Sequence, residues 1–126
     1  MQPSINDKYR IIPALLWSGI IFFLCFLPGS AFPKEDWLDR IYFDKWVHAF
    51  LYFVLFFLIY YFPKKKSISI YIIATALCVA QGVLIEFIQS STLVKNRSFD
   101  VYEIVANVVG VLLAWIAIRY FSNKRF

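Results

Sequence analysis

Residues 68–88 read ISIYIIATALCVAQGVLIEFI, with one charged side chain, Glu86, close to the end. No polar stripe recurs at helical spacing, so a helix over this stretch has no face for water. At ~1.5 Å per residue the run reaches ~32 Å, which matches a bilayer hydrocarbon core of ~30 Å. Three further runs, 11–27, 46–62 and 104–121, have the same character. The chain is 61% hydrophobic and 17% charged, where soluble domains average about 45–50% and about 25%. Its mean hydropathy is +0.67. Four helices apolar on every side leave a 126-residue chain no water-facing surface, but lipid can take that place. The expected fold is therefore all-α: a four-helix transmembrane bundle forming one domain over 1–126. Gly29-Ser30-Ala31 after the first run resembles a leader-peptidase site. A leader's apolar region spans only about 7–15 residues, so the run is expected to stay as a helix.

Lysine and arginine in short loops set orientation. Of 13 such residues, Lys8, Arg10, Lys64, Lys65, Lys66, Arg119, Lys124 and Arg125 fall on one side, and Lys34, Arg40, Lys45, Lys95 and Arg97 on the other. That bias places both termini in the cytoplasm. Of the eight acids only Asp7 is then cytoplasmic; Glu35, Asp36, Asp39, Asp44, Glu86, Asp100 and Glu103 lie toward the outer face. The net charge of +5 is thus a topological signal with attraction to anionic lipid. No basic stripe interleaves with aromatics as nucleic-acid binding requires. In the loop PGSAFPKEDWLDRIYFDK (28–45), Trp37, Leu38, Ile41 and Tyr42 share one helical face opposite Asp36, Asp39 and Arg40. A short interfacial helix fits this pattern, as does an ordinary loop resting on lipid. Cys25 and Cys78 fall at different depths, beyond disulfide reach.

Polar residues gather toward one end of three helices. Asp44, His48 and Tyr52 recur at i, i+4 and i+8 and so line one face. Glu86 and Gln89 share a face, with Gln81 deeper, while Asp100, Glu103, Asn107 and Gly110 descend the fourth helix just after Arg97. Each has a plain structural reading. Asp44 either caps a helix or orients His48, Lys45 either snorkels to headgroups or binds a ligand, and Tyr52 either packs or joins the site. Glu86 is the hardest to explain structurally, because an ionisable group inside an apolar span marks function by default. Ala106, Gly110 and Ala114 form a small-residue stripe suited to close helix packing. With one histidine in the chain and no paired ligand spacing, no metal centre is expected. Ser90, Ser91 and Ser98 lack the glycine-rich elbow of a nucleophile.

Three blocks together resemble the VanZ-like family of small membrane proteins: DKWVHAFLYF (44–53), EFIQ (86–89) and RSFDVYEIVANVVG (97–110). Glu103 stands where that family usually has Asp, and Ala114 where it often has Gly. The resemblance implies a multi-pass protein of the bacterial cytoplasmic (inner) membrane, linked in some members to teicoplanin-type glycopeptide resistance and hence to the cell envelope. Combined with the topology, it leads us to expect an outward-facing site that binds or modifies an anionic envelope or lipid-linked substrate. In that reading His48, Asp44 and Glu86 are the catalytic candidates, with His48 as acid–base and Asp44 as its orienting carboxylate. Lys45 and Arg97 would hold phosphate, with Gln89, Asp100, Glu103, Asn107 and Tyr52 completing the binding side. No cofactor is specified, and the expected partners are membrane lipids and a lipid-linked precursor. The alternatives are a non-catalytic structural membrane protein and a proton-coupled transporter using Glu86. So short a chain would need to form an oligomer to build a transport pathway.

Overall fold

The computed structural model describes residues 8–27, 36–61, 66–91 and 100–123, apart from the side chains of residues 38, 39 and 123. A 3₁₀ turn at Tyr9–Ile11 leads into α1, Ile12–Phe26. Pro13 sits in the first turn of α1, where its missing N–H breaks no helical bond. Leu27 leaves the helix in an extended conformation (φ −65°, ψ 143°), as a residue before proline does. A short helix α2, Asp36–Arg40, occupies the loop where an interfacial helix was one of two readings. Trp37, Ile41 and Tyr42 are exposed there, available to headgroups. Three long helices follow: α3, Phe43–Tyr60, α4, Ile68–Gln89, and α5, Val101–Asn123. Among the described residues four helices are long and apolar enough to cross a membrane, namely Tyr9–Phe26, Phe43–Tyr60, Ile68–Gln89 and Val101–Ser122.

Both α3 and α5 begin earlier than their apolar runs, at Phe43 rather than 46 and at Val101 rather than 104. The helices therefore take in Asp44, Lys45 and Glu103; Lys45 and Glu103 meet across the α3–α5 interface, and Asp44 pairs with Lys45 beside it. At the corner before α3, Tyr42 adopts the left-handed region (φ 55°), which disfavours a bulky side chain by roughly 1–2 kcal/mol. The corner is tied on both sides. The Tyr42 carbonyl accepts from the N–H groups of Lys45 (3.0 Å) and Trp46 (3.2 Å), and Trp46 Nε1–H donates to the Ile41 carbonyl (3.0 Å).

The most extensive helix interface joins α3 to α5. It closes at Gly110, where an added Cβ would collide with the Ala49 carbonyl and come within 2.9 Å of its carbon and 3.0 Å of its Cα. Ala106 and Ala114 are buried one turn to either side, so the small-residue stripe read from the sequence does bring two backbones together. Around this seam Tyr52, Leu55 and Phe56 of α3 pack with Ile85 and Cys78 of α4 and Val111 of α5. Cys25 and Cys78 are buried and are not disulfide-bonded.

Helix α1 is more peripheral and shows Leu15, Leu16, Ile20 and Phe23 to the surroundings. Lipid gives apolar faces no drive to associate, so polar ties and close fit must hold such a helix. Three ties do so: Trp17 Nε1–H to the Leu51 carbonyl (2.8 Å), Ser18 Oγ to Gln81 Oε1 (2.7 Å) and Gln89 Nε2 to the Cys25 carbonyl (2.6 Å).

Candidate functional site

The site is assembled where α5 begins. Asp100 precedes the helix, and its Oδ1 accepts the N–H of Tyr102 (2.9 Å), a capping bond. Asp100-x-x-Glu103 has the spacing of a capping box, in which the second acid would reach back to the N–H of the first. Here that N–H donates instead to Oε2 of Glu86 from α4 (3.0 Å). Glu103 is thereby released to turn toward α3. A local helix-start signal has been redirected into a contact among three helices.

Lys45 and His48 of α3 meet that acid. The Lys45 ammonium pairs with Asp44 beside it and with Asp100 Oδ2 at 2.6 Å, and lies 4.0 Å from Glu103 Oε1. Below it, His48 is held at both ring nitrogens by residues of α5. Nδ1 lies 3.1 Å from Asn107 Oδ1, and Nε2 lies 3.4 Å from Glu103 Oε2. If Nδ1–H is donated to Asn107, the contact with Glu103 needs one proton, which either partner can carry. Glu86 is 1% exposed and also neighbours Glu103. Oε1 of Glu86 and Oε2 of Glu103 are buried without a hydrogen-bond partner of good geometry among the described residues.

The cluster has an outer and an inner row. Asp44, Asp100 and Lys45 reach the surface, with side chains 57%, 30% and 21% exposed, while His48, Glu86, Glu103 and Asn107 are buried behind them. Burial alone would push the Asp100 carboxyl up. Its hydrogen bond and ion pair with Lys45, together with the N–H groups at the start of α5, outweigh that and hold it below the usual range. Oxygen atoms of Asp44, Asp100 and Glu103 come within 4.8 Å of one another, close enough to suggest a cation site, and the cation between them is the Lys45 ammonium.

The remaining predicted residues divide. Asn107 and Tyr52 belong to the buried row: Gly82 of α4 faces both, and a Cβ there would lie 2.7 Å from Asn107 Nδ2 and 3.6 Å from the Tyr52 hydroxyl. That hydroxyl is buried with no hydrogen-bond partner among the described residues. Gln89 turns away from the cluster to tie α4 to α1. The carboxylate against His48 is Glu103, whereas the nearer one in sequence, Asp44, pairs with Lys45. Nor is Asp44 the residue before the helix, since α3 opens on Tyr42 without a side-chain cap. Arg97, expected to hold phosphate with Lys45, lies outside the described residues. Sequence reasoning passed over Gly82; its one signal was a glycine next to Gln81 inside an apolar span, facing the depth of Asn107.

Between α3 and α5 a groove of about 560 Å³ runs from Lys45 along Ala49, Val105, Ala106 and Val109, with Tyr42, Trp46 and Tyr102 at its mouth. Its long walls are apolar, and Lys45 of the outer row stands at its head. No protein-family model matches the chain, nor does any curated protein or solved structure.

Proposed function

We propose that this multi-pass membrane protein receives the headgroup of an anionic, lipid-linked envelope substrate at the Asp44 end. The observation that carries this reading is the continuity of the α3–α5 groove with the Lys45 cluster. A lipid lying in the groove would have its chain against Val105 and Val109 and its first polar atoms at Lys45. A phosphate there would compete with Asp44, the most exposed acid, for the ammonium. Asp44 and Asp100 would then accept hydrogen bonds from sugar hydroxyls or amides, which a lipid-linked precursor carries and a simple anion lacks. The resemblance to VanZ-like proteins adds the bacterial envelope, an outward-facing site and a link to glycopeptide resistance as parts of the same proposal.

Chemistry on that substrate is the second reading, favoured by the orphaned oxygens of Glu86 and Glu103 beside His48. Buried carboxylate oxygens without a hydrogen bond are expensive and tend to be kept for function. In this version His48 and Glu103 exchange a proton behind Lys45, which faces the substrate. A transporter fits less well, since the cluster lies at one end of the bundle and transport sites lie near the midplane.

The test is the lipid and precursor profile of cells with the protein, without it, and with His48→Ala, alongside analysis of lipids that co-purify with it. A phosphate-bearing lipid-linked species that changes in the cells or accompanies the protein is the expected result. Binding that survives in His48→Ala while the cellular profile reverts would favour chemistry over binding alone. An unchanged profile with no such species bound would overturn the proposal.

A further inference from the structure

The opposite end of the bundle has a different character. A cavity of about 730 Å³ lies where the last turns of α3 and α5 meet the first turn of α4. Its described lining includes two cations, Lys66 and Arg119, the hydroxyl-bearing Ser67 and Ser122, and walls formed by Phe57 and Tyr71, with no acid. The acidic side chains among the described residues, Asp36, Asp44, Glu86, Asp100 and Glu103, all belong to the other end.

Lys66 is an exposed residue whose ammonium folds back onto the end of α3. Its ammonium donates to the Tyr60 carbonyl (2.6 Å) and stands 4.5 Å and 5.4 Å from the ring centres of Tyr60 and Tyr61. Burial pushes its pKa down, and the charge of Arg10 pushes it the same way. Lys66 and Arg119 are thus two cations on the lining of one cavity, and an anion between them would be favoured electrostatically.

We propose that this cavity is a binding site for an anionic phospholipid, with its phosphate between Lys66 and Arg119 and an acyl chain against Phe57. A lipid is the occupant because the cavity combines a cationic rim with an apolar wall inside a membrane-spanning bundle. Basic pockets between transmembrane helices bind headgroups in this way. The site is separate from the Asp44 cluster, so it stands whatever that cluster binds.

Native mass spectrometry of the full chain, equilibrated with phosphatidylglycerol and phosphatidylcholine of identical acyl chains, reads the preference directly. At roughly fivefold per cation near the surface, the pair should favour phosphatidylglycerol by roughly 30-fold. Each of Lys66→Gln and Arg119→Gln should lose about fivefold and the double variant most of the preference, while Lys66→Arg should retain it. Helix content checked by circular dichroism keeps these comparisons to folded protein. Should the double variant not fold, the wild-type preference should still collapse as salt is raised, because it is electrostatic. Soluble glycerophosphate at the same concentration should not displace the lipid. Equal retention of the two lipids, an unchanged preference in the folded double variant, salt-insensitive preference or full displacement by glycerophosphate would each overturn the site.

Discussion

Replacing Gly110 with alanine tests the seam on which the site is built. The new methyl would collide with the Ala49 carbonyl and approach its carbon and Cα to 2.9 and 3.0 Å. These are backbone atoms inside a helix, so no side-chain rotation relieves the contact and α3 must move away from α5. Overpacking of this kind costs about 1–3 kcal/mol. The same movement stretches the His48–Asn107 hydrogen bond one turn from Gly110 and the His48–Glu103 contact two turns away, and losing that hydrogen bond adds about 0.5–1.5 kcal/mol. A total loss of about 1.5–4.5 kcal/mol is expected. Reversible unfolding in detergent micelles or bicelles would measure it, with Leu112→Ala on the exposed face of α5 as a control expected to change stability far less. Gly110→Ala within about 0.5 kcal/mol of wild type would show that the two backbones do not meet there.

Gly82→Ala should act through Asn107, whose amide occupies the space a methyl would need; a loss of about 1–2 kcal/mol is expected, and crystallography or NMR should find Asn107 displaced from His48. For Asp100→Asn the cap is retained, since Asn caps about as well as Asp, and the charge is lost. Because Lys45 lowers the folded-state pKa of Asp100, its stabilising contribution is complete above the unfolded value of about 3.9 and disappears as pH falls through the lower folded value. Wild type should therefore be the more stable protein at neutral pH, and the two unfolding curves should converge in acid below about pH 4.

The four spans were legible because their signal is additive: each of 68–88 and its three counterparts is apolar over enough residues to cross lipid whatever its neighbours do. The Ala106, Gly110, Ala114 stripe was legible for a similar reason, being a property of one helix face. The clustering of Asp44, Lys45, His48, Glu86, Glu103 and Asn107 followed from depth alone. Partner choice did not. Counting i to i+4 along α3 offers Asp44 to His48, but the rotation of α5, set by Gly110 against Ala49, brings Glu103 to the ring instead. Likewise Gln89 shares a turn with Glu86, yet the carbonyl of Cys25 near the end of α1 claims it. The redirection of the Asp100–Glu103 capping box depends on Glu86 arriving from another helix, which no local pattern records.

A single imidazole is held by two side chains of α5 inside a shared polar cluster. The chain has one histidine, so ¹⁵N-histidine NMR of the protein in nanodiscs gives His48 signals that need no assignment. Following both ring nitrogens against pH in wild type, Asp44→Asn and Glu103→Gln separates the two carboxylates. Glu103→Gln should change the Nε2 shift and the titration markedly, because it replaces the group 3.4 Å from that nitrogen, and Asp44→Asn should leave both close to wild type. A His48 signal that responds to Asp44→Asn and ignores Glu103→Gln would contradict the account.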